Sequence, residues 1–435
     1  MVRDMVAETP KSEAHKKLLD TVRAQFEAYE KSGAKGVFDS PEYHAIQTYK
    51  SGDYEADINL VYELCKLAPG TAKHLADMGF QWHDYSSQYV GALWPRSHDA
   101  ANFKSGFGFI QTYEATIRDK HYPVEYLMQT RASELMMEGA RVAGVKAVDA
   151  DGNTIEIDAT KGVVIASGGF GANVEMRMKY DKLWNGLLNE KFPTTNSPAI
   201  TGDGIVMAEK IGADLVGMEY IQLLIGDPQT GVTSTLVGAG TSMYVNRDGK
   251  RFVNELANRK VRADAIMVEG TAGKKCFAIC NEANVAPLKK QRPGFLERML
   301  ERKIVEKYDT LDELAKAAGI NAENLKKEVA AFNEIVKNKV DPVWGRYINN
   351  AQTPLTEGPW YYGDLLPKVH HCMGGLVTDN DCRVLDVRTD KPIPHLYAAG
   401  EATGMVHGAV RLGSVAILDC LVFGRICGQK VAAEK

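Results

Sequence analysis

The sequence predicts an α/β fold interrupted by a separate α+β domain, and three observations carry that expectation. Two short apolar strands, one at Val163-Val164-Ile165 and one at Leu396-Tyr397-Ala398-Ala399, each run into a glycine turn. Buried parallel strands that end beside a ligand have this character. Between Glu219 and Cys372 the pattern shifts to short strands followed by helices, and after Cys372 the α/β pattern returns.

The elements follow in order. Glu13 to Tyr29 places Leu18, Leu19, Val22, Phe26 and Tyr29 at helical spacing, with Ser12 as N-cap. Leu60 to Met78 reads as one or two helices, broken near Pro69-Gly70. Trp82 to Phe109 is aromatic, glycine-bearing and without periodicity, which predicts a loop lining a cleft. Gly144 to Val148 and Thr154 to Ile157, joined through Asp151-Gly152-Asn153, predict a hairpin with a type I′ turn. Ile165 to Gly171 is an apolar strand running into a glycine turn, and Gly202-Asp203-Gly204 opens a helix. In the inserted segment, short strands surround Asn246 to Phe252, and helices are expected near 311–318 and 322–337. A closing helix starts at about Ser414.

Composition narrows the function class. The chain has 435 residues, enough for two or three domains. A net charge of -4 gives no reason to expect nucleic acid or an acidic membrane as partner. No apolar run approaches the roughly 18 residues of a membrane span. Nothing in the first twenty residues resembles a signal peptide, so a cytoplasmic location is expected. The seven cysteines form no CxxC pair, no metal-ligand spacing and no Cys-x-x-Cys-His haem motif.

The candidate site residues concentrate near the C-terminus, in His370-His371-Cys372-Met373-Gly374-Gly375, Gly400-Glu401 and His407 to Gly413. Glycines admit backbone close to a ligand, and a helix start after Gly413-Ser414 favours negative charge. The small-residue strand ending at Gly400-Glu401 suits a flavin ribityl chain, with a carboxylate to accept from its hydroxyls; an incidental surface acid is the alternative. His370 and His371 point apart on a strand, which disfavours a metal pair and leaves substrate hydrogen bonding or a structural role. Arg411 is either a placed charge for a carboxylate or a solvated ion-pair partner. Arg259, within Asn254 to Arg262, reads by itself as part of a charged helix face.

Taken together, "HHCMGGLVTD", "LYAAGEATGMVHGAVRLG", "VNRDGKRFVNE" and "VVIASGGFGAN" resemble the flavoprotein subunit family of fumarate reductase and succinate dehydrogenase, in its soluble fumarate and urocanate reductase branch. The resemblance implies an FAD-binding, Rossmann-like domain (residues 1–218 and 373–435) interrupted by an α+β capping domain (residues 219–372). It implies FAD contacts at Ala166, Ser167, Gly168, Gly169, Asp203, Gly400, Glu401, Ser414 and Val415. It further implies hydride transfer from flavin N5 to the double bond of an α,β-unsaturated carboxylate, with Arg259 delivering the proton. His371 and Arg411 would clamp the carboxylate, and electrons would come from a separate donor.

The departures from the family pattern are as informative. The family's second substrate histidine falls at Leu224, and its relay acid and arginine fall at Thr235 and Gly238; a substrate hydroxyl survives at Ser234. An enoate with one carboxylate and a less polar far end is therefore expected, such as an aryl- or imidazolyl-acrylate. The family's opening Gly-x-Gly-x-x-Gly turn is absent, and Met5 to Pro10 resembles a stretch that follows it. The expectation is that a first β-α-β unit precedes Met1. The competing expectation is a non-catalytic remnant that depends on a partner chain.

Overall fold

The computed structural model describes residues 1–88, 92, 94–103, 106–226, 242–291, 293–348 and 352–434. The chain divides into two compact units. The first comprises residues 1–187, 198–221 and 371–435, and the second comprises residues 188–197 and 222–370. These crossings lie two or three residues from the boundaries expected at 218/219 and 372/373. The excursion of residues 188–197 into the second unit has no signal in the sequence.

The first unit opens with α1 (Val2–Val6), α2 (Glu13–Ser32), α3 (Pro41–Ser51) and α4 (Ile58–Asp77). Ser12 Oγ accepts from His15 N–H at the start of α2, and Gly33 ends that helix at φ 67°. Leu19, Val22, Tyr43, Ile46 and Val61 bury the faces that these helices share. The expected break at Pro69 does not occur. α4 is continuous through Pro69 because Leu64, Thr71 and Leu75 are buried on both sides of it, while the proline itself faces solvent. The expected loop from Trp82 to Phe109 is folded back by isolated bridges at Trp82–Ala100 and Ser87–Ser97, and α5 (Phe107–Asp119) already begins inside it.

Strands β1 (Arg131–Glu138), β2 (Arg141–Val148) and β3 (Thr154–Asp158) form an antiparallel sheet in that order. The β2–β3 connection is not the expected type I′ turn. Gly152 N–H donates to Asp149 O, Asp149 and Asn153 pair, and of the central residues only Gly152 has positive φ, at 84°. That is a type I turn with a glycine bulge, fixed by Asp149 Oδ1 accepting from the Asp151 and Asn153 amides. β4 (Val163–Ile165) follows, then α6 (Val174–Tyr180), α7 (Asp203–Lys210) and β5 (Leu215–Val216).

The second unit begins along β6 (Ile221–Gly226) and continues with β7 (Met243–Asn246), α8 (Arg259–Thr271) and β8 (Cys276–Asn281). Next come α9 (Glu282–Gln291), α10 (Phe295–Glu301), β9 (Glu306–Tyr308), α11 (Leu311–Ala318), α12 (Ala322–Asn338) and β10 (Trp360–Asp364). The main sheet has the order β7-β8-β10-β9, and β11 (Leu366–Cys372) pairs with β6. Phe277, Ile279, Leu325, Phe332 and Trp360 make the core beneath α11 and α12, and a Thr310/Glu313 capping box starts α11. Within this unit Glu255 accepts from Arg251 Nε and Nη2, both at 2.8 Å, and from Tyr244 N–H at 3.1 Å. Arg346 Nη1 lies 3.1 Å from the same carboxylate, and Asp341 takes a further bond from Arg251 at 2.8 Å.

The chain returns to the first unit with β12 (Gly375–Leu376), β13 (Arg383–Leu385), β14 (Pro392–Ala398), a 3-10 turn (Gly400–Ala402) and α13 (Val415–Ala433). β14 runs parallel to β4 and antiparallel to β13, in the order β13-β14-β4. The expected burial of β4 is incomplete. As an edge strand it leaves Val164 41% exposed, while Ile165 is buried. Among the described residues, no helix is long and apolar enough to cross a membrane.

Glu255→Ala would leave the buried Arg251 with Asp341 as its carboxylate and the buried Arg346 on the neutral Ser242 carbonyl and Gln352 Oε1. Urea unfolding should show a loss of about 3–5 kcal/mol; a loss below about 1 kcal/mol would mean that the network carries little of the second unit's stability.

Candidate active site

The site of the first unit is built where β4 and β14 end side by side. Their parallel register pairs Ala398 with Ile165, and the Ala399 amide donates to Ile165 O at 3.1 Å. Beyond these strand ends the chain turns away at Gly168 (φ 76°) and Gly400 (φ 72°). The carboxyl ends of adjacent parallel strands are the usual binding edge of an α/β sheet.

Glu401 follows directly from the second turn. Its Oε1 accepts from the Cys372 amide at 2.9 Å, and its Oε2 lies 3.0 Å from His371 Nδ1. Gly169 backs onto the same carboxylate. A Cβ there would fall 2.6 Å from Glu401 Oε1 and 3.0 Å from Cys372 Cβ, so this position admits no side chain. Burial raises the Cys372 thiol, and the neighbouring Glu401 charge raises it further, so it remains protonated.

Arg411 lies in the turn before α13 and is buried, with Nη1 donating to Leu412 O at 3.3 Å. Burial pulls its guanidinium down to about 10, opposed by the charges of Glu401 and Asp419. It therefore remains cationic at neutral pH. Ser414 is exposed, in the left-handed region at φ 69°, and Val415 begins α13, buried in the core beneath. Asp203 starts α7, where Gly204 abuts Ser167 and Ile165 so closely that a Cβ would meet Ser167 Oγ at 2.4 Å. The Asp203 carboxylate itself is held by Arg131 at 2.7 and 3.0 Å and by Thr201, and the Arg131 contact lowers its pKa.

The structure thus gathers Ala166–Gly169, His371, Gly400, Glu401, Arg411, Ser414 and Val415 around one end of the first unit. Asp203 lies beside them, with its side chain engaged elsewhere. His370, adjacent to His371, belongs to the second unit and bonds Thr195 Oγ1 at 2.8 Å. Among the described residues no group of histidine, cysteine and carboxylate side chains could hold a metal ion. In the second unit Arg259 opens α8 after the Asn258 cap and donates to Gln222 Oε1 at 3.3 Å. Leu224 is buried in β6, whose residues are all buried. Ser234, Thr235 and Gly238 lie outside the described residues.

His407, named in the sequence only as the first residue of the segment that ends at Gly413, has a buried partner, Asp419, that was not singled out. His407 Nε2 lies 3.2 Å from Asp419 Oδ2, with both side chains buried, and the His407 ring meets the His371 ring at 5.2 Å. The available signal was Asp419 itself, an acid on the otherwise apolar run Val415 to Phe423.

Residues 25–417 match the family described as an FAD binding domain. The chain belongs to that family. A urocanate reductase from Eggerthella lenta is 35% identical over 92% of this chain and 65% of its own length. An NADH:acrylate oxidoreductase from Vibrio harveyi is 34% identical over 98% of this chain and 43% of its own length. The chain thus spans roughly half to two thirds of these relatives. Among solved structures, the open conformation of a flavocytochrome c3 fumarate reductase superposes with a TM-score of 0.74 at 30% identity. That likeness covers 93% of this chain and 69% of the other.

The residues at this end of the first unit fit the family's cofactor. Ala166 and Ser167 are exposed, and the Gly169 cradle excludes side chains. A part-exposed carboxylate stands at Glu401, and a helix start offers its positive end at Ser414. Gly169→Ala should displace Glu401 from both of its partners, destabilise the fold by about 1–3 kcal/mol and lower the flavin content of the purified protein. Thermal unfolding and the ratio of visible to ultraviolet absorbance would measure both. Wild-type values for the two would remove Glu401 from the cradle.

Proposed function

We propose that this chain reduces the carbon–carbon double bond of an α,β-unsaturated carboxylate, with FAD as its cofactor. The observation that carries this reading is Arg411, a buried cation set between glycine turns and a helix start in a chain of the FAD-binding family. The names of the relatives (urocanate, acrylate and fumarate reductases) support the same class. When bound, FAD supplies the hydride equivalent from N5.

In this reading the chain's own groups bind, polarise and protonate. Arg411 takes the carboxylate with its two-pronged guanidinium and draws charge toward it from the double bond. His371, oriented through Nδ1 by Glu401, presents Nε2 as the second hydrogen-bonding group of the clamp. Arg259 delivers the proton, and the assignment rests on its match to the family motif. A guanidinium holds its proton tightly, so this role requires prompt reprotonation or a largely electrostatic contribution.

Leu224 sets the substrate class. An apolar side chain at the family's second histidine position favours a monocarboxylate over a dicarboxylate, with an aryl or imidazolyl group at the far end. Ser234 is assigned a hydrogen bond to the substrate from its match to the family. Electrons come from a separate carrier. Free cysteine thiols fit a reducing, cytoplasmic compartment.

Steady-state kinetics with a panel of unsaturated acids test the assignment. Arg259→Ala should lower kcat by at least about 1,000-fold, while a saturated analogue binds within a few-fold of wild type. Arg411→Ala should raise KM by about 10–100-fold. Near-wild-type turnover by Arg259→Ala would remove it from the proton-delivering role, and an unchanged KM in Arg411→Ala would remove the clamp.

A further inference from the structure

Two buried groups of the first unit have no part in the chemistry assigned so far, His407 and Asp419. His407 Nε2 lies 3.2 Å from Asp419 Oδ2, and the two side chains are 4% and 3% exposed. The His407 ring meets that of His371 edge to face, with centroids 5.2 Å apart and planes inclined by 69°. We infer that His407, held by Asp419, is a positioning residue for the carboxylate clamp formed by His371 and Arg411. The inference rests on the assignment of that clamp.

Stability does not account for the pair. Asp419 lies little more than one turn into α13, among Val415, Val422 and Phe423, which pack in a buried apolar cluster. Burying a carboxylate there costs desolvation that an apolar side chain of similar size avoids. Its second oxygen, Oδ1, has no hydrogen-bond partner among the described residues, and neither has His407 Nδ1. A packing role would be served better by leucine and phenylalanine.

Orientation does account for it. An imidazole turns freely about its outer torsion until one nitrogen is held, and a carboxylate at Nε2 fixes both ring plane and tautomer. The fixed ring of His407 then bears on His371 from one side, while Glu401 holds His371 Nδ1 at 3.0 Å. Two constraints on one ring leave a single direction for its Nε2. Asp419 has a second effect, because its charge, with that of Glu401, offsets the penalty that burial places on the cationic form of Arg411. Both arms of the clamp are thereby held by groups that need not touch the substrate.

The test uses the FAD-loaded protein and two saturated acids that cannot be reduced, propionate and 3-phenylpropionate, with binding read from the flavin spectrum. Asp419→Leu and His407→Phe should each weaken binding of the better probe by about tenfold and raise KM for the matching enoate similarly, with kcat within about threefold. Asp419→Asn, whose amide oxygen still accepts from His407, should recover most of the lost binding. A merely structural role would lower flavin content and thermal midpoint together without separating KM from kcat. If the leucine and phenylalanine variants keep their flavin and bind the probe as tightly as wild type, the inference fails and the clamp stands. If wild type binds neither acid, the clamp falls and the inference with it. Should either variant not fold, His407→Gln replaces it; wild-type probe affinity in that variant would overturn the inference, and a loss of about fivefold would support it.

Discussion

The carboxylate of Glu401 is the point on which the first unit's site depends. One oxygen holds the Cys372 amide at the end of β11, and the other holds His371 Nδ1. Its back rests against Gly169, where no side chain fits. Three segments far apart in sequence thus converge on one charged group: the turn after β4, the end of β11 and the turn after β14. Charge-assisted hydrogen bonds are shorter and stronger than neutral ones, and they fix direction as well as distance. Without this carboxylate the histidine, the glycine turn and the strand end would have no common reference.

The two units treat buried charge differently. In the second unit, Arg251, Glu255, Asp341 and Arg346 form a buried network in which each carboxylate accepts several bonds. In the first unit, the part-exposed Glu401 stands with the buried Asp419, His371, His407 and Arg411, and Asp419 Oδ1 and His407 Nδ1 are unmatched among the described residues. The first arrangement suits a scaffold. The second suits a site that binds an anion, which can accept from the buried Arg411 guanidinium.

Much of the fold was legible because it rests on local rules. The Ser12 cap, the helices at 311–318 and 322–338, and the paired strands ending in glycine turns all carry their reasons in adjacent residues. The two misreadings have different causes, one in packing and one in a neighbouring side chain. Pro69 did not break α4, because buried residues on both sides of it hold the helix. The turn at Gly152 took its type from Asp149, which lies before the triplet that suggested a type I′ turn. In the site, Glu401, Arg411 and the Gly168-Gly169 turn were legible as glycine-flanked charges in a cofactor-like pattern. The partnership of His407 with Asp419 was not, because twelve residues and a helix start separate them in sequence, and only the fold brings them to 3.2 Å.

In the proposed reaction a fixed cation reads the carboxylate of an unsaturated acid, and this recognition governs reduction. Anaerobic reoxidation of the pre-reduced, FAD-loaded protein measures this most directly, with an aryl-acrylate compared against its methyl ester. The acid should reoxidise the flavin rapidly and the ester at least about 100-fold more slowly, since the ester lacks the charge that Arg411 would bind. Equal rates for acid and ester, or reoxidation by neither across a panel of enoates, would contradict it.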